Sequence, residues 1–375
     1  MRDVAIVGVG QTRVGELWEK SLRQLGYDAI DAAMKDAGVE KADSLFVGNM
    51  LSGELAGQEH LATLIADFMG MRGIEAAKIE AACASGAAAL RVGTMAVASG
   101  MADVVIVAGV EKMTDTLPPE TTAGLALAAD QEYEVAEGAT FLALNAMLMQ
   151  RYMHEYGCTR EQLAEVAVAA RKWAQLNPDA FERGDLTIED VAKARMISDP
   201  LTKLDCCLVT DGGAAIVMTR ADRAKDCPKT PIHLLGAAME HHHRNISAMP
   251  ELTVTATAKS GPRAFEMAGM KPADMDTVQV YDAFTINTIL FLEDLGFCAK
   301  GEGKDFVSGG RIAPGGELPV NTNGGGLSCV HPGMYGLFVM AEAIRQARGE
   351  CGDRQVKDAK VSLAHGNGGV LSSQV

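Results

Sequence analysis

"IEAACASGAAAL", residues 79–90, sets a single cysteine among small side chains. The residues leading to Cys83 read as extended, and "ASGAAALRVGTMAVASG" after it reads as strongly helical. Cys83 therefore falls at or just before a helix N-terminus. Unpaired N–H groups and the positive end of the helix dipole favour a thiolate there. Alanine, serine and glycine neighbours leave room for a substrate, and for other backbone, to reach the sulfur. The competing reading is a buried thiol with a packing role only.

The same strand-to-helix alternation runs outward from this stretch. "VAIVGVG" (4–10), "VVIVAGVE" (104–111), "AAIVMTR" (214–220), "PIHLLGAAME" (231–240) and "KVSLAHGNGG" (360–369) read as buried strands, and helical patterns cover 21–37, 84–99, 160–176 and 335–347. This predicts an α/β fold with helices covering the sheets. A weak repeat is present: Ala33, Ala37, Gly38, Ala42 and Asp43 return as Ala264, Ala268, Gly269, Ala273 and Asp274, and Gly8 is answered by Gly236. Two such blocks in one order predict a duplicated chain, with halves at 1–225 and 226–375. Residues 112–205 fit neither half well, and are read as an insertion extending from the first, suited to covering a cleft. Ordinary extra core helices are the alternative there.

Composition narrows the function classes. The 375 residues carry 34 Lys and Arg against 49 Asp and Glu, a formal charge of −15. This argues against nucleic acid or an anionic membrane as partner. No secretory leader and no stretch of membrane-spanning length is read, and the eight cysteines lack paired spacings. Together these lead to the expectation of a cytoplasmic protein with reduced thiols. The run His241, His242, His243 alternates between two faces if it is a strand, so no metal site is expected. Met147, Met149 and Met153 read as core or as the wall of an acyl channel.

Three further segments carry chemistry. "NTNGGGLSCVHPGMYG" (321–336) places His331 before a proline at an expected helix start, where a neutral imidazole is favoured. "AHGNGGV" (364–370) places His365 after a strand, followed by glycines whose N–H groups can face a ligand. "QVYDAFTINT" (279–288) puts Tyr281 and Asp282 where a strand enters a helix. Asp282 reads more as a helix cap than as a catalyst. Tyr335, four residues past His331, either lines a pocket or packs. Asn323 either orients His331 or a water, or serves a turn.

Taken together, "AACASG", "YDAF", "VHPG" and "HGNGG" resemble the motifs of the thiolase superfamily, over essentially the whole chain and in the right order. "GGGLSCVHPGMYG" and "LEDLGFCAKGEGKDFV" look most like its sterol-carrier and lipid-transfer branch, which includes 2-benzoylsuccinyl-CoA thiolase. The chain departs from the commoner pattern at His365, where many members have a second cysteine, and at Tyr281, where they have asparagine or histidine. The resemblance implies the thiolase fold, two layered αβαβα halves with an inserted loop domain. It implies acyltransfer with coenzyme A as co-substrate and no covalently bound cofactor. It also implies a homodimer core and a small OB-fold, zinc-ribbon partner that helps bind the acyl-CoA.

On this reading Cys83 adds to the keto carbon of a 3-ketoacyl-CoA and His331 takes its proton. The N–H groups of Cys83 and of Gly368 or Gly369 hold the alkoxide, a single donor of that kind being worth about 3–4 kcal/mol. Tyr281 with His331 holds the enolate oxygen, and His365 moves the remaining proton. An aromatic or branched substrate such as 2-benzoylsuccinyl-CoA is expected. Acetoacetyl-CoA, a retro-aldol cleavage of a steroid side chain that needs no thiol, and a non-catalytic acyl-CoA-binding subunit remain as alternatives.

Overall fold

A computed structural model describes residues 2–243 and 245–375. The first half is built on β1 (Val4–Gln11), α1 (Leu22–Ala37), β2 (Ser44–Gly48), β3 (Glu75–Ile79), α2 (Ser85–Ser99) and β4 (Val104–Glu111). The chain then runs through α3 (Phe141–Tyr156) and α4 (Arg160–Gln175) before returning as β5 (Gly212–Arg220). Every residue of β4 is buried, as are eight of the nine in β5, so the two read as unbroken apolar runs rather than alternating ones. With β6 (Ile232–His233) they make a six-stranded sheet in the order β3-β2-β4-β5-β1-β6. β2 pairs in parallel with β3 and β4, while β5 is antiparallel to both β4 and β1.

The second half holds β7 (Glu240–His241), α5 (Thr257–Ala268), β8 (Thr277–Gln279), α6 (Thr285–Asp294), α7 (Gly336–Arg348), β9 (Ser362–Ala364), β10 (Asn367–Gly368) and β11 (Ser373–Gln374). β8 and β9 pair in parallel, and β10, β11 and β7 form a small sheet in the order β10-β11-β7. The strand expected over 231–240 pairs only at its two ends, as β6 and β7. A strand persists only where a neighbouring backbone takes its ladder bonds; the last such bond to β1 is from the Leu234 N–H to the Val4 carbonyl (3.1 Å), and Gly236 then packs on helix α5.

The repeat has a packing cause. A Cβ on Gly8 would meet the carbonyl of Ala33 in α1 at 2.2 Å, and one on Gly236 would meet the carbonyl of Ala264 in α5 at 2.3 Å. Both helices end on a left-handed glycine, Gly38 and Gly269, each with φ of 65°, a conformation that costs a side chain about 1–2 kcal/mol. Each half therefore presses a glycine in or just after its opening extended segment onto its first long helix, and stops that helix in the same way.

Small residues also bring the two halves together. A Cβ on Gly86 in α2 would lie 2.8 Å from the Met334 carbonyl, and one on Gly366 would lie 2.6 Å from the Ala87 Cβ. Helix α2 thus lies close to the start of α7 and to the loop after β9. The segment 82–99 is long and apolar enough to cross a membrane, contrary to the expectation that none is. Here it is a core helix, with Ala87 to Leu90 buried. The α4 segment ties the glycine-rich loop of the second half in place: Arg171 donates to Ser328 Oγ (3.0 Å), and Asn177 Nδ2 donates to the Asn323 carbonyl (2.9 Å).

Candidate active site

Cys83 sits on a strained turn. Ala82 just before it has φ of +49°, outside the range an alanine prefers. Ser85 braces that turn from within: its hydroxyl donates to the Ala82 carbonyl (2.5 Å) and accepts from the Ala81 N–H (2.9 Å). The serine of the motif thus shapes the backbone, and the alanines and glycine admit neighbouring chain. The sulfur is buried, 3.8 Å from the Met50 Sδ.

The second half supplies the groups facing Cys83. Tyr281, Tyr335 and His331 form a buried aromatic cluster: the Tyr281 ring meets His331 edge-on at 5.1 Å and Tyr335 at 5.2 Å, while Tyr335 stacks on His331 at 5.2 Å. The Tyr281 hydroxyl donates to the Gly333 carbonyl (3.4 Å) and is near enough to the Cys83 thiol for the two to shift each other's titration. His331 does not begin a helix, as its proline predicted. It follows a one-turn π-helical segment, Gly325–Cys329, and α7 starts only at Gly336. Its N–H donates to Thr210 Oγ1 (3.1 Å), and its Nε2 has no hydrogen-bond partner among the described residues.

Burial controls the electrostatics. It pushes the Cys83 thiol up to about 11, with the Glu111 charge adding to the rise and the Tyr281 hydroxyl opposing it. Burial likewise holds His331 down at about 4. The unliganded pair is therefore a neutral thiol beside a neutral imidazole, not the thiolate expected from the helix dipole. Asp282 is raised to about 7 by the same cause. It does not cap α6. Its carboxylate accepts from the Gly326 N–H (2.7 Å) and the Leu327 N–H (3.3 Å), and so anchors the loop that leads to His331. Asn323 accepts from the Gly325 N–H (2.8 Å), so it serves the turn.

A cavity of about 480 Å³ opens on this cluster, lined by Cys83, His331, Met113, Phe141, Cys207 and Phe284 among others. His365 does not line it. Its Nε2 hydrogen-bonds Thr257 Oγ1 (2.9 Å), its ring lies 4.3 Å from that of Phe291, and it borders a separate, largely apolar cavity of about 200 Å³. The reason is strand parity. The His365 N–H donates to the Gln279 carbonyl (2.9 Å), which extends β9 by a residue. Gly366 and Gly368 then face α2 and the Cys83 turn, where added Cβ atoms would meet the Ala87 Cβ at 2.6 Å and the Ala81 carbonyl at 2.4 Å. Alternation turns residue 365 to the opposite face.

Gly368 presses on the Cys83 turn, Gly369 faces Ser372 and the Ala128 carbonyl, and neither is among the lining residues. Met147 is 45% exposed on α3, pointing outward, while Met149 is fully buried. That helix gives Phe141 and Leu142 to the cavity instead. Among the described residues no three potential metal ligands come together, and the eight cysteines are free.

Three supports carried no motif in the sequence. Thr210 holds His331. Glu111 accepts from the N–H groups of Met50 (2.5 Å) and Leu51 (3.1 Å) beside the thiol. Asp211 is wholly buried and takes bonds from Lys112, Met113, Thr114 and Leu17, which sets the strip of chain that forms the cavity wall. The buried carboxylates at strand ends, in "GVEK" and "TDGG", were the only hint.

A duplicated α/β chain that brings a cysteine on a helix-entry turn and a histidine of its other half onto one cavity defines a class, the thiol-dependent acyltransferases of two-half architecture. Comparison with known proteins makes the family definite: residues 4–222 match the thiolase N-terminal domain, residues 238–375 match the thiolase C-terminal domain-like family, and this chain belongs to the thiolase family. It is 45% identical to an acetyl-CoA acetyltransferase of Methanothermobacter thermautotrophicus, over 98% of this chain and 97% of that one. It is 34% identical to the benzoylsuccinyl-CoA thiolase subunit BbsB of Thauera aromatica, over 98% and 95%. The solved Ltp2-ChsH2(DUF35) aldolase superposes with a TM-score of 0.88 at 32% identity, covering 99% of this chain and 96% of that one. The protein is thus an acyltransferase of the thiolase type.

Proposed function

We propose that this chain cleaves acetoacetyl-CoA with coenzyme A, and runs the reverse condensation, through an acetyl group carried on Cys83. The observation that carries the reading is that Cys83 and His331, whose Nε2 has no hydrogen-bond partner among the described residues, line one cavity. A neutral imidazole held at about 4 can accept the thiol proton only as the S–C bond forms. The 45% identity to an acetyl-CoA acetyltransferase supports the two-carbon acyl group. A larger, branched or aromatic 3-ketoacyl group is the second reading, favoured by the apolar wall of Phe141, Leu142 and Phe284.

The test is direct. Brief exposure to acetoacetyl-CoA should add one acetyl group to the Cys83 peptide, and added coenzyme A should release it as acetyl-CoA. Cys83→Ser should abolish both. Turnover at wild-type rate in that variant would remove the covalent route and leave a retro-aldol reaction. Running benzoylsuccinyl-CoA in parallel decides between the two acyl classes.

The protein also works with a second chain. Among the residues that line the cavity, Glu16 carries the only formal charge and no Lys or Arg is present, so the phosphates of coenzyme A need cations from elsewhere. A small OB-fold, zinc-ribbon partner at the cavity mouth supplies them, on a homodimeric thiolase core. The name of the Ltp2-ChsH2(DUF35) aldolase supports such an arrangement.

A further inference from the structure

Thiolytic cleavage needs a second proton-transfer group besides His331, and the His365 ring faces away from the cavity. Cys207 stands where that group is required. It lines the same cavity as Cys83, His331 and Ala283. Its N–H donates to the Ala283 carbonyl (2.8 Å), and its neighbour Cys206 bridges Phe284, so the pair is fixed to the chain that carries Tyr281. Its sulfur is near enough to Cys83, Tyr281 and Asp282 for their charges to bear on one another. Cys206 differs, since its thiol is spent on the Thr202 carbonyl at 3.3 Å. His331, buried and with an Nε2 that has no hydrogen-bond partner among the described residues, lines the same cavity, a polar group left for a ligand to satisfy.

We propose that Cys207 is a further catalytic residue, the thiol that protonates the departing enolate carbon and then accepts the proton of coenzyme A. The inference rests on the acetyl-transfer reading above. In the cleavage direction the Cys83 sulfur bonds to the keto carbon while its proton passes to His331. The carbon–carbon bond breaks, and its electron pair stays on the α-carbon as a thioester enolate. The Cys207 proton goes to that carbon, giving acetyl-CoA and a Cys207 thiolate. Coenzyme A then gives its proton to this thiolate as its sulfur attacks the acetyl group. The Cys83 S–C bond breaks, and Cys83 regains its proton from His331. No outside oxidant or reductant enters. Burial and the neighbouring charges of Cys206, Cys83 and Asp282 disfavour the Cys207 thiolate, which makes it a base strong enough to run the step backwards at an α-carbon.

The experiment separates acylation from carbon chemistry. Cys207→Ala and the closer-shaped Cys207→Ser should acetylate Cys83 from acetyl-CoA more slowly than wild type but still to completion, because coenzyme A can depart as a thiolate, whereas the α-carbon step has no such route. Both should lose exchange of acetyl-CoA methyl protons with deuterated solvent, and thiolysis turnover, by about a hundredfold or more. Exchange at wild-type rate in either folded variant overturns the proposal. A wild-type protein that never acetylates at Cys83 defeats the underlying reading instead. If neither variant folds, iodoacetamide labelling of the Cys83→Ser protein decides. Cys207 should be modified, and saturating acetyl-CoA should protect it; a lack of labelling, or labelling without protection, overturns the assignment.

Discussion

At the scale of single residues, burial outweighs the helix dipole at Cys83. The sulfur precedes α2 as the motif required, yet removal from water raises its pKa to about 11. A group whose pKa is raised keeps its proton over a wider range, so the reactive anion is scarce at neutral pH and accumulates as pH rises. Alkylation of the Cys83 peptide by iodoacetamide should therefore accelerate roughly tenfold per pH unit between pH 7 and 9.5. A plateau by pH 9, as an unperturbed thiol would show, would mean that the site holds the thiolate after all. His365 teaches a different lesson at this scale: a histidine in a matching motif still obeys the parity of its strand.

At the scale of elements, contacts too close for a side chain hold the two halves in register. Gly366 leaves no space for a Cβ because Ala87 of α2 lies 2.6 Å from where it would be. Gly366→Ala should lower stability by about 1–3 kcal/mol through overpacking, read from urea melts, and should slow acetylation of Cys83. Gly184→Ala is the control, since nothing lies within 4 Å of the added atom there. Equal stability of the two variants would show that the halves are not held by this contact. Asp211 is the other fixed point. Asp211→Asn keeps the shape but leaves Lys112, 4% exposed at its side chain, with only the surface carboxylate of Asp115. A loss of about 3–5 kcal/mol is expected for breaking a buried pair of this kind, and a loss below about 1 kcal/mol would mean that Asp115 suffices.

At the scale of the whole molecule, charge sets what the chain can bind alone. The net charge is −15, and the cavity wall offers no Lys or Arg. The isolated chain should therefore hold an acetyl-pantetheine thioester within about tenfold as tightly as acetyl-CoA, a difference of about 1.4 kcal/mol, by calorimetry. A complex with the proposed partner should prefer acetyl-CoA by much more. A large preference for acetyl-CoA in the isolated chain would place the phosphate-binding cations on this chain and remove the argument for the partner.

The sequence by itself determined the alternation of apolar runs and amphipathic helices, the helix-entry turn at Cys83, the repeat of Gly8 and Ala33 in Gly236 and Ala264, and the order of the four motifs. All of these are local, set by side-chain period, by turn chemistry and by which positions tolerate a Cβ. Tertiary structure decided which of the motif residues meet. It brought Cys83, Tyr281, Tyr335 and His331 together, turned His365 toward Thr257, and placed Cys207 on the cavity without any motif of its own. It also decided the charge states, because desolvation depends on everything packed around a group and not on its neighbours along the chain.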